Sequence, residues 1–181
     1  PLQLADIQPT ARVGVVGIGG LGHMALKFYR AWGCEVTAFT SSDSKAEEAR
    51  SFGAHHVASS RDARAIEALT GTFDMIIDTV NAPLDWNALL EALAPNGRLH
   101  VVGAVLEPMP IPAFALISGQ KSVSGSPTGS RGAIDAMLGF AARHGIAPQT
   151  EHFPMARVND ALDHLRAGKA RYRIVLDADF D

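Results

Sequence analysis

Cysteine is nearly absent: Cys34 is the only one among 181 residues. A lone thiol makes neither a disulfide framework nor a cysteine metal cluster, and a reducing, cytoplasmic setting is the simplest expectation. None of the seven histidines forms His-x-x-x-His or stands at ligand spacing from a cysteine, so no metal site is expected in this chain. Long apolar runs are missing too. Nothing approaches the ~20 residues of a membrane span, and no secretory signal opens the chain. Basic charge is not in excess: 16 Lys and Arg against 19 Asp and Glu leave a formal charge of −3. That balance argues against a nucleic-acid partner held by a basic face. Gly-x-Ser-x-Gly does not occur, which counts against a serine hydrolase of the α/β type. Position 1 is proline with no methionine before it, and the chain is expected to be a fragment.

What is present is organised around Val13 to Gly33. Val13 to Val16 is a short β-branched run that reads as a buried parallel strand. Gly17, Gly19 and Gly22 follow at G-x-G-x-x-G spacing. A helical stripe then runs through Leu21, Met24, Ala25, Phe28 and Trp32. Strand, glycine turn and helix in that order are the context of a dinucleotide-binding fingerprint. Glycine lets the backbone approach a pyrophosphate, and the helix N-terminus offers free N–H groups to the anion. The same glycines have P-loop spacing, but His23 stands where that motif needs lysine, which disfavours nucleoside triphosphate hydrolysis. His23 itself has two readings, structural or cofactor contact.

The end of the second strand, Glu35 to Thr40, bears on which dinucleotide is bound. Folds that bind NAD usually carry Asp or Glu about 20 residues past the glycines, to hold the ribose 2′-hydroxyl. Here Thr40 occupies that place, followed by Ser41, Ser42, Asp43, Ser44 and Lys45. Without a carboxylate a 2′-phosphate is not repelled, and hydroxyls with one ammonium can bind it. NADP is therefore favoured over NAD, with Asp43 weighing the other way. Ser42 or Ser44 also reads as a helix cap, Ser44 forming a capping box with Glu47.

The rest of the chain alternates strands and helices. Gly33 is a plausible helix cap, and Cys34 beside it reads as buried filler. A helix spans Ser44 to Phe52, closed by Gly53, and His55 to Ala58 is the third strand, its two histidines reading as surface residues. Arg61 to Leu69 is an amphipathic helix with Ala65, Ile66, Ala68 and Leu69 inward, ended by Gly71. Phe73 to Val80 is the fourth strand, with Asp78 at its tip read as structural rather than catalytic. Leu84 to Leu93 is a helix with Trp86, Leu89, Leu90 and Leu93 at core spacing. Pro95-Asn96-Gly97 reads as a turn, and Arg98 to Val105 as the fifth strand, with His100 packed at its middle. Prolines 108, 110 and 112 exclude helix there, and Phe114 to Ser118 is a short apolar piece. Lys121 to Ser126 is a sixth strand. Ser130 caps a helix running to His144, with Ile134, Met137, Leu138, Ala141 and Ala142 inward. The fold class is α/β, a doubly wound six-stranded parallel sheet of the Rossmann type, over residues 1–145. Residues 146–181 add a strand at Gln149 to Phe153, a helix at Val158 to Ala167 and a strand at Arg171 to Leu176. That set is too small to fold alone and is expected to pack on something this sequence does not supply.

In combination and order, GIGGLGHMALK (Gly17 to Lys27), TSSDSK (Thr40 to Lys45), IDTV (Ile77 to Val80), VVGA (Val101 to Ala104), SVSGS (Ser122 to Ser126) and RYRIVLD (Arg171 to Asp177) resemble one family. The chain is similar to the C-terminal, cofactor-binding part of zinc-containing medium-chain alcohol dehydrogenases. Its nearest branch is the cinnamyl-alcohol-dehydrogenase-like, NADP-dependent aldehyde reductases. The resemblance implies that Gly17, Gly19, Gly20, Leu21 and Gly22 cover the pyrophosphate. It implies that Thr40, Ser41, Ser42 and Lys45 read the adenosine ribose and its 2′-phosphate, and that Thr79 and Val80 lie along the cofactor. Val102, Gly103 and Ala104, with Ser124 and Ser126, would place the nicotinamide, and Arg173 would come near the pyrophosphate from the returning C-terminal segment.

The same resemblance implies hydride transfer between NADPH and an aldehyde, with the corresponding alcohol as the reverse substrate. The catalytic zinc would lie in an N-terminal domain absent from this chain, which residues 146–181 would complete, so that this chain alone binds NADP(H) without turnover. It further implies a homodimer paired along an edge strand, with Ser118 to Ser124 and the proline-rich loop before it as the interface, since an exposed sheet edge needs covering. Three alternatives stay open: a zinc-independent quinone reductase of the same superfamily, a non-catalytic dinucleotide-sensing module, and an S-adenosylmethionine methyltransferase. The last would normally carry an acid where Thr40 stands.

Overall fold

Val13, Val15, Val36 and Phe39 have no exposed surface, as strands covered on both faces require. They belong to β1 (Arg12–Val16) and β2 (Glu35–Thr40) of a computed structural model that describes residues 1–179. Strands β3 (His56–Ser59), β4 (Phe73–Asp78), β5 (Leu93–Val101) and β6 (Ser122–Gly125) complete the sheet. Every neighbouring pair is parallel, and the spatial order is β3-β2-β1-β4-β5-β6. This is the expected doubly wound arrangement. The order reverses between β1 and β4, which places a ligand crevice beyond the carboxyl ends of the strands at that point.

Helices α1 (Gly22–Trp32), α2 (Ala46–Ser51), α3 (Ala63–Glu67), α4 (Trp86–Ala92), α5 (Ala113–Ile117) and α6 (Arg131–His144) connect and follow the strands. One buried layer gathers Val13, Leu26, Tyr29, Met75 and Ile77, and the other Phe39, Phe73, Ile76, Trp86, Leu90 and Leu99. Each fully buried Leu, Ile or Phe contributes about 1.5–3 kcal/mol, so these two layers hold the sheet rigid beneath the crevice.

Several local expectations need correction. The stripe on α1 is only partly covered: Met24, Ala25, Phe28 and Trp32 are half-buried and Leu21 exposed, while His23, Leu26 and Tyr29 are fully buried. Phe28 and Trp32 are half-buried against Phe140 of α6, at ring distances of 5.9 and 5.8 Å. Only part of the expected inner face of α6 is covered. Ile134 and Ala141 are half-buried, whereas Met137, Leu138 and Ala142 are exposed. The capping box at Ser44 does not form. A 3-10 turn takes Asp43–Lys45, the Ser44 hydroxyl bonds that of Ser42 at 2.7 Å, and α2 starts at Ala46 without a side-chain cap. Helix α3 is shorter than expected, capped by Asp62 accepting from the Arg64 N–H, and Ala68 is exposed. Pro95-Asn96-Gly97 is a bulge inside β5, which begins at Leu93 and shifts register between Phe73 and Met75 of its neighbour. Strand β5 then stops at Val101, so Val102 to Ala104 lie just past its end.

The C-terminal part is β7 (Thr150–Pro154), α7 (Val158–Arg166) and β8 (Arg173–Asp177), the two strands pairing in parallel as a small separate sheet. Leu162 and Leu165 of α7 are left substantially exposed. The segment nonetheless returns to α1 and α2: Tyr172, just before β8, is buried, stacks on His23 at 4.9 Å and donates its hydroxyl to Glu48 at 2.6 Å.

Candidate functional site

After Val16 the chain turns at Gly17 with φ +85°, a conformation glycine enters without strain. The Thr79 hydroxyl lies 2.8 Å from the Val16 carbonyl and 2.9 Å from that of Gly17, locking the turn to the end of β4. Close approach explains two glycines. A Cβ on Gly22 would lie 1.8 Å from the Gly17 oxygen, and one on Gly17 would lie 2.2 Å from Val80 Cγ1. Gly19 is different, since nothing comes within 4 Å of a Cβ placed there. The loop is therefore tightly packed at both ends and open at its tip. Helix α1 begins beside it with no acidic residue in its first turn and no side-chain cap. Its leading N–H groups and dipole favour an anion at that place.

At the end of β2, Thr40 is buried and its hydroxyl is 3.3 Å from the Ser42 carbonyl and 3.2 Å from the Ser42 N–H. It shapes the loop rather than lining it. Ser41 is exposed and Ser42 half-buried. Lys45 Nζ donates to the Ile18 carbonyl at 3.2 Å, which carries its charge from the β2 end to the glycine loop. Leu21 is exposed at the start of α1. The structure thus brings Gly17 to Gly22, Ser41, Ser42 and Lys45 to one rim.

Thr79, Val80, Val102, Gly103, Ala104 and Ser126 lie at or past the carboxyl ends of β4, β5 and β6, with Ser124 one residue inside β6. A Cβ on Gly103 would lie 1.7 Å from the Val80 oxygen, so the two strand ends touch. Asp78 makes that junction. Its carbonyl accepts from the Val102 and Gly103 N–H groups at 3.0 and 3.1 Å, and its Oδ1 accepts from the Val80 N–H at 3.0 Å. This supports the structural reading of Asp78. Arg173 reaches the loop from β8: its Cζ is 3.0 Å from a Cβ built on Gly20, so the guanidinium covers that residue.

Three buried side chains organise these groups: His23, whose reading the sequence left open, Tyr172, to which it gave no role, and His100, which it read as packed within its strand. His23 is fully buried; its Nδ1 is 3.0 Å from the Gly19 carbonyl, and its Nε2 accepts from the Gln149 N–H at 3.2 Å. Burial, ahead of the opposing Gly19 hydrogen bond and the nearby Lys27 and Arg173 charges, pushes its pKa below the ordinary value. It therefore works as a neutral bridge from the glycine loop to the C-terminal segment, the structural one of its two readings. Tyr172 stacks on it, a contact across nearly the whole chain that no sequence period signals. His100 is also fully buried, with Nδ1 2.9 Å from Ser124 Oγ and Nε2 2.8 Å from Ser126 Oγ.

Asp78 and His100 give opposite responses to acid. Burial raises Asp78 to about 6, against the pull of the Val80 N–H. His100 is lowered to about 4, by burial first, with the Arg98 charge adding to it. The stability that neutral His100 contributes is complete above about pH 6.5 and is lost as pH falls toward 4. Asp78, raised in the fold, stabilises increasingly as pH falls through about 6. Between those limits folding binds a proton at one site and releases one at the other, so the two slopes nearly cancel. Asp78→Asn is expected to expose the His100 term. Urea unfolding of this variant should lose about 1.4 kcal/mol per pH unit between pH 6 and 4 relative to the parent chain, and parallel curves would refute the pairing.

The sequence profile of the zinc-binding dehydrogenases matches residues 20–143. Aldehyde reductase AdhA of a Synechocystis species is 53% identical over 176 residues, 97% of this chain and 52% of that protein. A cinnamyl alcohol dehydrogenase from Sorghum bicolor superposes with a TM-score of 0.91 at 44% identity, covering 97% of this chain and 50% of that one. A cinnamyl alcohol dehydrogenase from Helicobacter pylori, solved as a complex with NADP(H), superposes with a TM-score of 0.85 at 31% identity, over 98% of this chain and 50% of that one. The chain spans about half the length of the curated relatives it matches.

Proposed function

The chain belongs to the zinc-binding dehydrogenase family, and from that membership we propose that it is the NADP(H)-binding half of an alcohol dehydrogenase acting as an aldehyde reductase. The observation that carries this is the rim itself: a glycine loop packed at both ends and open at Gly19, beside a β2 end that offers Ser41, Ser42 and Lys45. Residues 1–145 would hold the dinucleotide, and residues 146–181 would return to the substrate half. Cytoplasmic residence goes with this reading; among the described residues no helix is long and apolar enough to cross a membrane.

The loop N–H groups and Arg173 neutralise the pyrophosphate charge, and Ser41, Ser42 and Lys45 bind the 2′-phosphate. Val80 and the Val102 to Ala104 backbone, with Ser124 and Ser126, orient the nicotinamide ring. When bound, the cofactor supplies a hydride for transfer to an aldehyde carbonyl or takes one from an alcohol. Among the described residues no three His, Cys, Asp or Glu side chains converge. In this reading the family's zinc would be held in the substrate half, and the residues of this chain would orient the hydride donor. Helical exposure of Met137, Leu138, Leu162 and Leu165 supports such a half packing over α6 and α7.

Titration calorimetry of this chain is expected to show NADP binding at least tenfold tighter than NAD, with Lys45→Ala closing most of that gap by removing one charge-assisted contact. NAD binding as tight as NADP would overturn the assignment. Homodimer pairing along β6, one of the two edges of the sheet, belongs to the same proposal. Helix α5 beside it leaves Phe114 and Ile117 exposed at 75% and 69%, and light scattering that finds monomer alone at high concentration would remove this part.

A further inference from the structure

His100 occupies a position on β5 whose register neighbours on the same face are Ile77 of β4 and Ser124 of β6. An aliphatic side chain would fill such a place at no polar cost, as Leu99 does on the other face. A buried imidazole is tolerated only when both nitrogens are bonded. Here both are bonded to serine hydroxyls, Ser124 at 2.9 Å and Ser126 at 2.8 Å. Those two serines are half-buried and stand at the carboxyl end of the edge strand.

A neutral imidazole has one N–H donor and one bare nitrogen acceptor. The serine that accepts from the N–H keeps its own proton and can donate it elsewhere. The serine that donates to the bare nitrogen has no proton left and can only accept. Two chemically equal hydroxyls thus acquire opposite senses. A primary carboxamide presents the matching pair, a carbonyl acceptor and an NH2 donor, whereas a carboxylate presents two acceptors and a methyl ketone a single acceptor.

We propose that His100 is a positioning residue that fixes Ser124 and Ser126 in opposite hydrogen-bonding senses, so that the site reads the carboxamide of the nicotinamide ring. This rests on the reading above that the ring lies at Val102 to Ala104 and Ser126. The burial that keeps the imidazole neutral keeps the pair asymmetric through the physiological range.

The test is calorimetry of this chain with NADP, its nicotinic-acid counterpart, its 3-acetylpyridine counterpart and adenosine 2′,5′-bisphosphate. NADP should bind at least tenfold tighter than either ring analogue. His100→Leu should bring the three dinucleotides within about twofold of one another while binding of the bisphosphate is unchanged. Ser126→Ala, which leaves the imidazole in place, should lose part of the same discrimination. Nitrogen-15 spectra of the unaltered chain should show His100 with one protonated and one bare nitrogen from pH 5 to 8. If His100→Leu does not fold, Ser126→Ala and the spectra decide by the same criteria. A preference for the carboxamide that survives His100→Leu or is undiminished in Ser126→Ala, a parent chain with no such preference, or a doubly protonated ring would overturn the proposal. A parent chain that binds neither NADP nor the bisphosphate would instead overturn the dinucleotide reading and take this inference with it.

Discussion

Gly22→Ala is expected to abolish dinucleotide binding and to cost about 3 kcal/mol of stability or more, the upper range for overpacking a closed site. The new methyl would sit 1.8 Å from the Gly17 carbonyl oxygen and 2.9 Å from its carbon. Backbone, not a flexible side-chain end, is the obstacle. Gly17 cannot retreat, because its carbonyl is held by the Thr79 hydroxyl and Val80 Cγ1 fills the space beside its Cα. Gly19→Ala supplies the contrast. With nothing within 4 Å of its methyl, it should change unfolding in urea by less than about 0.5 kcal/mol yet weaken NADP binding at least tenfold. One glycine serves the fold and the other the ligand. Unchanged affinity in Gly19→Ala would show that no pyrophosphate passes over the tip of the loop.

Tyr172→Ala is the second large effect expected. Tyr172 is 4% exposed, stacked on His23 at 4.9 Å and set edge-on to Phe52 at 5.2 Å. Truncating a buried aromatic of this size costs about 3–5 kcal/mol. Part of that loss should be local, because Tyr172, the Gln149 N–H on His23 and Lys27 on the Ala147 carbonyl anchor the C-terminal segment. Limited proteolysis should then cut between Gly145 and Thr150 while residues 1–145 stay resistant. Tyr172→Phe keeps the rings and loses only the hydrogen bond to Glu48, an expected cost of about 1–2 kcal/mol. Equal losses in both variants would mean that packing is not what holds the segment.

The glycine turn and the doubly wound parallel sheet were legible because each rests on short stretches whose chemistry leaves few choices. A turn that brings Gly22 against a carbonyl admits one residue type, and β-branched runs between helices admit one class of sheet. The His23–Tyr172 and His100–serine contacts were not legible, since they join residues distant in sequence with no shared period. Helix α6 shows a second limit. Its apolar face was real, but periodicity reports that a face is apolar and not whether the same chain covers Met137 and Leu138. Pro95-Asn96-Gly97 shows a third, because turn-forming residues also build a bulge when the flanking strand continues. The Ser44–Glu47 spacing was right for a capping box, but the Ser44 hydroxyl turned to Ser42 instead.

Tyr172 and Arg173 are neighbours, one wedged against α1 and α2 and the other laid over Gly20. Their backbone is common, so any tilt of the small β7–β8 sheet that unseats the ring also lifts the guanidinium from the loop. The two grips are geared together like teeth on one shaft. A body docked on that sheet would therefore act on the glycine loop at Gly20 without touching it.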